Sequence, residues 1–491
     1  MTKALNADMI LTQENLSRIT TGSIIKPEPH TFSLPVKVLQ FGTGVLLRGL
    51  PDYFIHQANR TGIFNGRIAV VKSTPGDAGD FQQQDNLYTI CIRGLENGRT
   101  VEQNIISSAI SGVLSAAQQW KAILAIARSE ELQLLISNTT EIGITLQHEY
   151  MYQDVAPASF PAKVLAVLYT RYKAFNGAKE SGLVIIATEL IPDNGKKLES
   201  IVHELARYNE LEPAFIEWLS TANSFCNSLV DRIVPGRPDA ATQDTMTRDM
   251  GYTDNLLIVA EPYRLWAIEG DARVRSVLSF AEADPGVIIA EDIEIYRELK
   301  VRLLNGTHTL SAALAFLQGI RTVKEAMENS GMRHYMETLM QQEISPAIPY
   351  PVSDLQTHDF SASVIDRFAN PYIEHLWYNI TFQYTMKVKI RVLPLLFTYD
   401  ERRQSVPLFM AKGIAAYLRF MQIDKVVDGK YYGAYEGGTY LIQDDEAAFF
   451  VNKHTIRELL GDSVFWGVDF SRLNGFVDAV EMYYAHYQVT I

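Results

Sequence analysis

Short apolar runs alternate with helical patterns along the first half of the chain. The runs have the length of buried strands and lie at residues 36–41, 67–71, 89–92, 132–137, 182–188 and 256–260. The segments between them repeat apolar residues at helical spacing, for instance over residues 46–59, 115–129 and 161–173. Strands that alternate with helices in this way predict an α/β fold built on a parallel, doubly wound sheet.

The pattern changes after residue 285, where long helical segments dominate. They cover residues 293–317, 322–341, 364–368, 373–380, 408–422 and 470–487. We therefore predict an N-terminal extension over residues 1–35, a sheet domain over 36–285 and a mainly α-helical domain over 286–491. Residues 234–255 are rich in Pro, Gly, Asp and Thr, and we predict that they form a long surface connection.

Composition and charge narrow the class of protein. The 491 residues are 47% hydrophobic and 21% charged, as in globular chains, and carry a formal net charge of −13. Because nucleic acids and anionic membranes attract basic surfaces, this charge argues against both as partners. The sequence shows two cysteines, no signal peptide and no apolar run long enough for a membrane span. We therefore expect a cytoplasmic protein.

A glycine turn follows the first strand. Phe41-Gly42-Thr43-Gly44-Val45 joins that strand to a helix, where Gly42 permits a tight turn and Gly44 allows a pyrophosphate to approach the backbone. A third glycine is missing, and a plain strand–helix turn would have the same two. The position in the first βα unit favours a Rossmann-type domain that binds a dinucleotide through these five residues. Arg48, one helical turn on, is either a phosphate or substrate contact or a solvated arginine.

The end of the second strand leaves the type of dinucleotide open. An acidic residue usually stands there and binds the adenosine ribose of NAD. Here Val71 is followed by Lys72, which could instead accept the 2′-phosphate of NADP. We therefore count Lys72 among the cofactor-binding candidates.

Three polar residues interrupt an apolar helix in the second half of the chain. On an ideal α-helix Asn305 lies ~140° from Lys300 and His308 lies ~80° from it, so the three share one broad face. Reduction of a ketone requires a proton donor and groups that hold the carbonyl oxygen, roles that lysine, asparagine and histidine can fill. The alternative is a solvated lysine beside two polar side chains with ordinary hydrogen-bond partners.

Six motifs in a fixed order resemble the mannitol dehydrogenase family of polyol-specific long-chain dehydrogenases. They are residues 41–44 with Arg48, residues 85–89, residues 230–235, residues 261–266, Lys300 with Asn305 and His308, and residues 367–371. The resemblance implies that Lys300 is the general acid/base and that Asn305 and His308 polarise the carbonyl group.

The same resemblance implies a substrate-side role for Lys387 and a polar position near the site for Asp231. His375 is a further candidate for the substrate pocket, unless it lies on a helix surface. Residues 189–195 and 387–389 are similar to the branch that interconverts tagaturonate and altronate, whose members are expected to use NAD(H); NADP(H) remains an alternative.

One position departs from the family pattern. Mannitol dehydrogenases place an asparagine after the acid that ends this strand, as a second donor to the carbonyl oxygen, whereas Leu190 follows Glu189 here. We predict either that Asn194 reaches in from the loop or that this donor is absent.

A sugar acid brings a carboxylate, which a basic side chain should meet. The candidates are Arg264, Arg367, Lys387, Lys389 and Arg391, with Lys387 favoured by the resemblance. The histidines lack metal-ligand spacing, so we expect metal-independent chemistry.

We expect an NAD-dependent oxidoreductase that interconverts a keto-uronate and an aldonate, most simply tagaturonate and altronate. The alternatives are a dehydrogenase for fructuronate and mannonate or for mannitol and fructose, a non-redox sugar epimerase that retains NAD, and an inactive sugar-binding module. The sequence gives no indication of the oligomeric state.

Overall fold

The computed structural model describes residues 9–74, 78–140, 142–151, 154–451 and 455–486. The chain forms two compact units. The first consists of Met1–Arg93 and Thr100–Ile293, and the second of Gly94–Arg99 and Glu294–Ile491.

A six-stranded parallel sheet forms the centre of the first unit. In spatial order its strands are Ile110–Ser115, Arg67–Lys72, Val36–Phe41, Leu134–Ser137, Val184–Ala187 and Ser224–Cys226. The first strand of the sequence therefore lies in the middle, and the order reverses beside it, as in a doubly wound Rossmann sheet. The predicted fold class is confirmed.

Both faces of this sheet are buried, which explains why its strands are nearly continuous apolar runs. Val38 and Ile136 contribute to one hydrophobic core, and Leu39 and Leu135 to the other. The α-helices of the unit are Val45–Gly49, Pro51–Arg60, Gly79–Gln83, Trp120–Ala127, Phe160–Ala174, Asn194–Tyr208, Pro213–Ala222, Ala240–Met250 and Ala272–Val277. Its short 3₁₀ helices are Glu14–Arg18, Pro29–Ser33, Lys179–Ser181 and Ser279–Glu282.

Two smaller sheets complete the strands of the first three-fifths of the chain. One has the order Ile24–Ile25, Arg99–Ser107, Tyr88–Glu96 and Ile258–Ala260, and the other Ser228–Asp231, Leu265–Glu269 and Val287–Ala290. The segment predicted as an extension takes part in the first of these, because Ile24 pairs with Asn104. Its Leu11 and Ile19 are buried in one cluster with Tyr252.

The predicted surface connection over residues 234–255 contains a helix, Ala240–Met250, which its composition did not indicate. The Asp239 side chain accepts a hydrogen bond from the Thr242 amide (3.0 Å) at its start, and Gly251 ends it with a φ of +80°. An aspartate at the N-cap and a glycine directly after the last turn are common capping residues of a helix.

The second unit is mainly helical, as predicted. Its α-helices are Glu294–Leu299, Thr307–Phe316, Val323–Glu328, Ser330–Thr338, Ser345–Ala347, Asp354–Phe368, Trp377–Ile380, Tyr384–Lys387, Leu393–Arg403, Leu408–Phe420, Ile456–Gly461, Ser463–Trp466 and Phe476–Ala485. Three π-helices interrupt them at Lys300–Gly306, Leu339–Ile344 and Val388–Val392, and two 3₁₀ helices lie at Ala447–Phe450 and Phe470–Arg472. Over the described part of the chain, no helix has both the length and the apolar character that crossing a membrane requires.

This unit also contains a small antiparallel sheet, which the sequence patterns did not indicate. Its strands are Lys425–Val427, Lys430–Tyr435 and Gly438–Leu441. Asp428 and Gly429 join the first two with φ values of +49° and +73°. An Asp-Gly pair between short strands is a common hairpin signal.

Candidate active site

The strand Val36–Phe41 ends in the predicted glycine turn. Gly42 has a φ of +122°, and a Cβ atom there would lie 2.8 Å from the Asn138 carbonyl oxygen, so a side chain is excluded. Gly44 caps the helix Val45–Gly49 with ordinary angles (φ −61°, ψ 155°), and a Cβ atom there would meet nothing within 4 Å. Because Gly44 is exposed and the space around it is open, the turn fits a pyrophosphate held close to the backbone.

The other residues of the turn differ in exposure. Phe41 is buried and packs edge-on against Phe160, with 5.3 Å between ring centroids. Thr43 and Val45 are partly buried. Phe41 therefore packs on the buried side of the turn, and Thr43, Gly44 and Val45 form its accessible surface.

The helix after the turn is short because the pattern predicted as one helix over residues 46–59 is broken. Leu50 leaves the helical region (φ −132°, ψ −77°), and a second helix begins at Pro51. Proline has no amide hydrogen for the preceding turn, so it is tolerated at the start of a helix and disfavoured inside one. The break leaves backbone carbonyl groups at the end of the first helix without helical donors.

Residues from the family-like motifs satisfy those carbonyl groups. The Tyr88 hydroxyl donates to the Arg48 carbonyl (3.1 Å), and the Arg232 guanidinium donates to the Gly49 carbonyl (2.7 Å). The Arg48 side chain is itself buried and donates to the Leu256 carbonyl. The Arg48 side chain thus stabilises the fold, and the alternative of a solvated arginine is wrong because the side chain is only 8% exposed.

Lys72 is the last residue of the strand beside the glycine-turn strand. Its Nζ donates to the Thr74 carbonyl (2.9 Å) and hydroxyl (3.0 Å). The two parallel strands are in register up to Phe41 and Val71, so Lys72 stands at the edge of the sheet that carries the turn. Neither Val71 nor Lys72 is directly followed by an acidic residue in the sequence.

Glu189 is buried at the same edge, just past the strand Val184–Ala187. Its carboxylate accepts hydrogen bonds from the Ser137 hydroxyl (3.1 Å) and from the amide (2.9 Å) and hydroxyl (3.0 Å) of Thr139. Leu190 is 62% exposed. At position 190, where the family pattern has an asparagine, this chain therefore has an apolar side chain at the surface of the first unit.

Asn194 is buried at the start of the helix Asn194–Tyr208, and its amide group is saturated. Its Nδ2 donates to the carbonyls of Glu189 and Ser228 (both 3.0 Å), and its Oδ1 accepts from the amides of Gly195 (2.9 Å) and Ser228 (3.0 Å). These bonds use both hydrogens and both lone pairs of the amide. Asn194 therefore has no donor left for a substrate and instead fixes the loop after Glu189. Asp231 is buried at the end of the strand Ser228–Asp231.

In the second unit, Lys300 and Asn305 lie on the π-helix Lys300–Gly306, and His308 lies on the following α-helix. A π-helix closes hydrogen bonds between residues i and i+5. Asn305 is five residues after Lys300, so the wider turn brings it closer to the lysine's face than the ~140° of an α-helix would. The regular helix predicted over residues 293–317 is thus wrong in this turn.

The π-helix Val388–Val392 has a visible cause in the sequence. Pro394 offers no amide hydrogen to the carbonyl of Ile390, four residues earlier. The Arg302 guanidinium donates to that carbonyl (2.6 Å) and to the carbonyl of Arg391 (3.1 Å), and it forms a two-pronged ion pair with Glu298 (2.9 and 3.1 Å). Arg302 therefore connects the π-helix that carries Lys300 to the one that follows Lys387.

His308 is a buried imidazole in an aromatic surrounding. Its ring stacks on Phe368 (4.2 Å between centroids) and meets His375 (4.9 Å) and Trp377 (5.9 Å) edge-on. Burial, and then the charges of neighbouring basic residues, hold the pKa of His308 well below its usual value. Its Nε2 atom is buried without a hydrogen-bond partner among the described residues. His308 is therefore a neutral side chain with one unused polar atom, as a neutral donor to a ligand requires.

His375 is positioned by its backbone. The helix predicted over residues 373–380 is confined to Trp377–Ile380, since Leu376 forms a bridge with Thr322 and the His375 carbonyl accepts from the Val323 amide (2.9 Å). The idea that His375 lies on a helix surface is wrong. Burial and the nearby Lys387 lower its pKa.

Basic side chains surround His308. His375, Arg391, Arg367 and Lys387 all lower the pKa of His308 through their charges. Arg367 is buried near the end of the helix Asp354–Phe368. The structure therefore brings together the predicted residues Arg367, His375 and Lys387 around His308, and it adds Arg391.

Lys387 and Arg391 are partly buried on consecutive turns. The Lys387 Nζ donates to the Ile380 carbonyl (2.9 Å), and its pKa is lowered to about 8 by burial and by Arg391, against the opposing charge of Asp444. Arg391 donates to the Thr309 hydroxyl (3.2 Å), and burial lowers its pKa to about 10.

Two other residues that were predicted as possible partners of a substrate carboxylate already have acidic partners in the protein. Arg264 pairs with the buried Asp284 (2.7 Å) in the first unit. Lys389 lies 3.8 Å from Glu446 and 4.0 Å from the centre of the Phe465 ring. Among the residues with described positions, no group of three or more His, Cys, Asp or Glu side chains could hold a metal ion.

Comparison with known proteins places this geometry in a family. Residues 36–280 match the family model of the mannitol dehydrogenase Rossmann domain, and residues 292–488 match that of the mannitol dehydrogenase C-terminal domain. An altronate oxidoreductase of Halalkalibacterium halodurans is 36% identical over 466 residues, covering 91% of this chain and 90% of the relative. That of Bacillus subtilis is 35% identical over 469 residues, covering 93% and 94%.

Solved structures show the same fold. D-sorbitol dehydrogenase in substrate-free form superposes with a TM-score of 0.79 at 19% identity, covering 98% of each chain. Mannitol 2-dehydrogenase of Pseudomonas fluorescens, in a ternary complex with NAD and D-mannitol, has a TM-score of 0.67 at 22% identity, covering 98% of this chain and 97% of that one. The two family models and the curated relatives define an oxidoreductase of the kind that acts on a CH–OH group. The chain belongs to the mannitol dehydrogenase family, and the predicted resemblance is confirmed.

Proposed function

We propose that this enzyme is an NAD(H)-dependent oxidoreductase that reduces D-tagaturonate to D-altronate and catalyses the reverse oxidation. The observation that carries the proposal is the intact set of Lys300 and Asn305 on a π-helical turn and His308 on the α-helix that follows it, in a chain whose relatives at 35–36% identity are named altronate oxidoreductases. The basic surroundings of His308 suit a substrate with a carboxylate.

The first unit supplies the dinucleotide site. The open space at Gly44 and the tight turn at Gly42 fit a pyrophosphate, with Thr43 and Val45 beside it and Phe41 beneath. When bound, NADH supplies the hydride that reduces the carbonyl carbon. Lys72 stands where ribose recognition is expected, so it is the residue to test for a choice between NADH and NADPH.

The second unit supplies the proton and the groups that orient the ketone. Lys300 donates a proton to the carbonyl oxygen as that oxygen gains negative charge, and it accepts the proton in the oxidation of altronate. Asn305 and the neutral His308 donate hydrogen bonds to the same oxygen. His308 suits this role because its imidazole is uncharged and its Nε2 is otherwise unused.

Further residues orient the substrate. Arg367, His375 and Lys387 contribute from around His308, and the family resemblance is the ground for assigning Asp231 a polar role in substrate binding. Asn194 acts indirectly, since its hydrogen bonds hold the loop that follows Glu189. The side chain at position 190 is apolar, so we assign the oxyanion contacts to Asn305 and His308 alone.

The test is a substrate panel with the purified enzyme. Consumption of NADH and of NADPH is measured with D-tagaturonate, D-fructuronate and D-fructose, and the reverse reaction is measured with D-altronate. We expect the highest kcat/KM with tagaturonate and NADH. A higher kcat/KM for fructuronate or fructose contradicts the substrate assignment, and isomerised sugar without net NADH oxidation would indicate an epimerase.

A further inference from the structure

Arg391 is a partly buried cation that has few described hydrogen-bond partners. A guanidinium has five N–H donors. The Arg391 side chain has one described hydrogen bond, to the Thr309 hydroxyl (3.2 Å), and no described carboxylate forms an ion pair with it. Burying such a group is costly unless an anion accompanies it.

A second cation lies close to it. Lys387 precedes Arg391 by four residues, a spacing at which like charges repel each other on a helix. At Lys387, burial and then the charge of Arg391 lower the pKa to about 8. Asp444 faces Lys387, but its carboxylate also accepts bonds from the Thr385 amide (2.6 Å) and the Glu446 amide (2.9 Å). The pair of cations is therefore incompletely neutralised by the protein itself.

The position of Arg391 is fixed relative to the proposed reaction site. Thr309, which accepts its hydrogen bond, follows His308 in the helix and donates to the Asn305 carbonyl (2.8 Å). At its backbone, Arg391 accepts a hydrogen bond from Arg302 (3.1 Å). Arg391 is thus fixed at both ends beside the two residues assigned to the carbonyl oxygen.

We infer that Arg391 binds the carboxylate of the sugar acid, with Lys387 as the second positive charge. This inference rests on the proposed function and names the residue that separates a uronate from a neutral ketose. Arginine suits the task because its planar fork matches the two oxygens of a carboxylate. Lys389, two residues away, is already occupied by Glu446 and the Phe465 ring.

The experiment compares ligands that differ only in the carboxylate. Kinetics are measured with D-tagaturonate and D-tagatose, and equilibrium binding is measured by calorimetry with D-altronate and D-altritol. The variants are Arg391→Gln and Arg391→Lys, and Lys389→Gln is the matched control.

We expect Arg391→Gln to lower kcat/KM for tagaturonate and the affinity for altronate by roughly 100-fold, since two charge-assisted hydrogen bonds are lost. Most of the kinetic loss should appear in KM, because the carboxylate does not take part in the reaction. The affinity for altritol should stay within about twofold, Arg391→Lys should fall between wild type and Arg391→Gln, and Lys389→Gln should match wild type.

Two results would overturn the inference: an altronate affinity of Arg391→Gln close to that of wild type, or equal losses for altronate and altritol. If Arg391→Gln does not fold, the same comparison with Arg391→Lys decides, because that variant keeps the charge and loses the fork. A wild-type enzyme that neither reduces tagaturonate nor binds altronate refutes the proposed function itself, which is a different outcome.

Discussion

Replacing Arg302 with methionine should disturb both π-helical turns of the candidate site. The Arg302 and Glu298 side chains are only 9% and 12% exposed, and they form a two-pronged ion pair. The substitution leaves the Glu298 carboxylate unpaired and removes the donor from the carbonyls of Ile390 and Arg391. Breaking a buried pair by removing one partner costs about 3–5 kcal/mol, and we expect the free energy of unfolding to fall by that amount.

The assay is chemical denaturation combined with kinetics at a temperature where the variant is folded. We expect kcat for tagaturonate reduction to fall by roughly 10- to 100-fold, because misplacing reacting groups by an ångström has effects of that size. Arg297→Met is the matched control: its ion pair with Glu294 is more exposed (31% and 37%), so the loss should stay below about 1 kcal/mol. The double variant Glu298→Gln/Arg302→Met should recover part of the stability, since it removes the unpaired charge.

The reasoning is refuted if Arg302→Met is destabilised by less than about 1 kcal/mol and keeps the wild-type kcat, because buried pairs that matter cost more than surface pairs. A loss of stability with an unchanged kcat would leave Arg302 as a structural residue and would contradict its role in positioning Lys300.

Two further predictions concern the first unit. Gly44→Val should weaken NADH binding roughly tenfold or more in a fluorescence titration, because the valine side chain fills the open space beside the turn. The Tm should change little, since the backbone angles of Gly44 suit any residue. Unchanged binding would contradict the assigned phosphate position. For Asp52, burial raises the pKa to about 8, so its contribution to stability is complete below about pH 4 and is lost as the pH rises through about 8. Between pH 5 and pH 9, the free energy of unfolding measured with urea should therefore fall less for Asp52→Asn than for wild type, by about 2 kcal/mol or more. Asp80→Asn, at an exposed position, is the control. Parallel pH dependences for Asp52→Asn and wild type would refute this.

Sequence patterns were sufficient for the sheet and the glycine turn. The strand Val36–Phe41 has the predicted bounds, because a buried parallel strand is a continuous apolar run that ends where glycine begins. The third glycine of the usual motif is absent, yet its packing role has an equivalent: a Cβ atom at Gly49 would lie 2.9 Å from Val234. That function depends on which segments meet in space, which the motif spacing does not reveal.

The π-helices could not be predicted from apolar spacing. The π-helical turn at Lys300 lies between two α-helices whose apolar spacing indicates only a helix. At Ile390 the cause involves both Pro394 and the distant Arg302. Likewise, the saturated amide of Asn194 depends on the Ser228 backbone, 34 residues away. Arg264 and Lys389 pair with acidic residues, which leaves Arg391 as the better candidate for binding a substrate carboxylate. These pairings also arise from tertiary packing.

The most direct test of the account is the rate of the chemical step in Lys300→Met, measured in a single turnover of bound NADH with saturating D-tagaturonate. The account predicts a loss of roughly 10²- to 10⁴-fold, with NADH and altronate still bound at close to wild-type affinity. A rate within tenfold of wild type would show that another group supplies the proton and would contradict the assignment of Lys300.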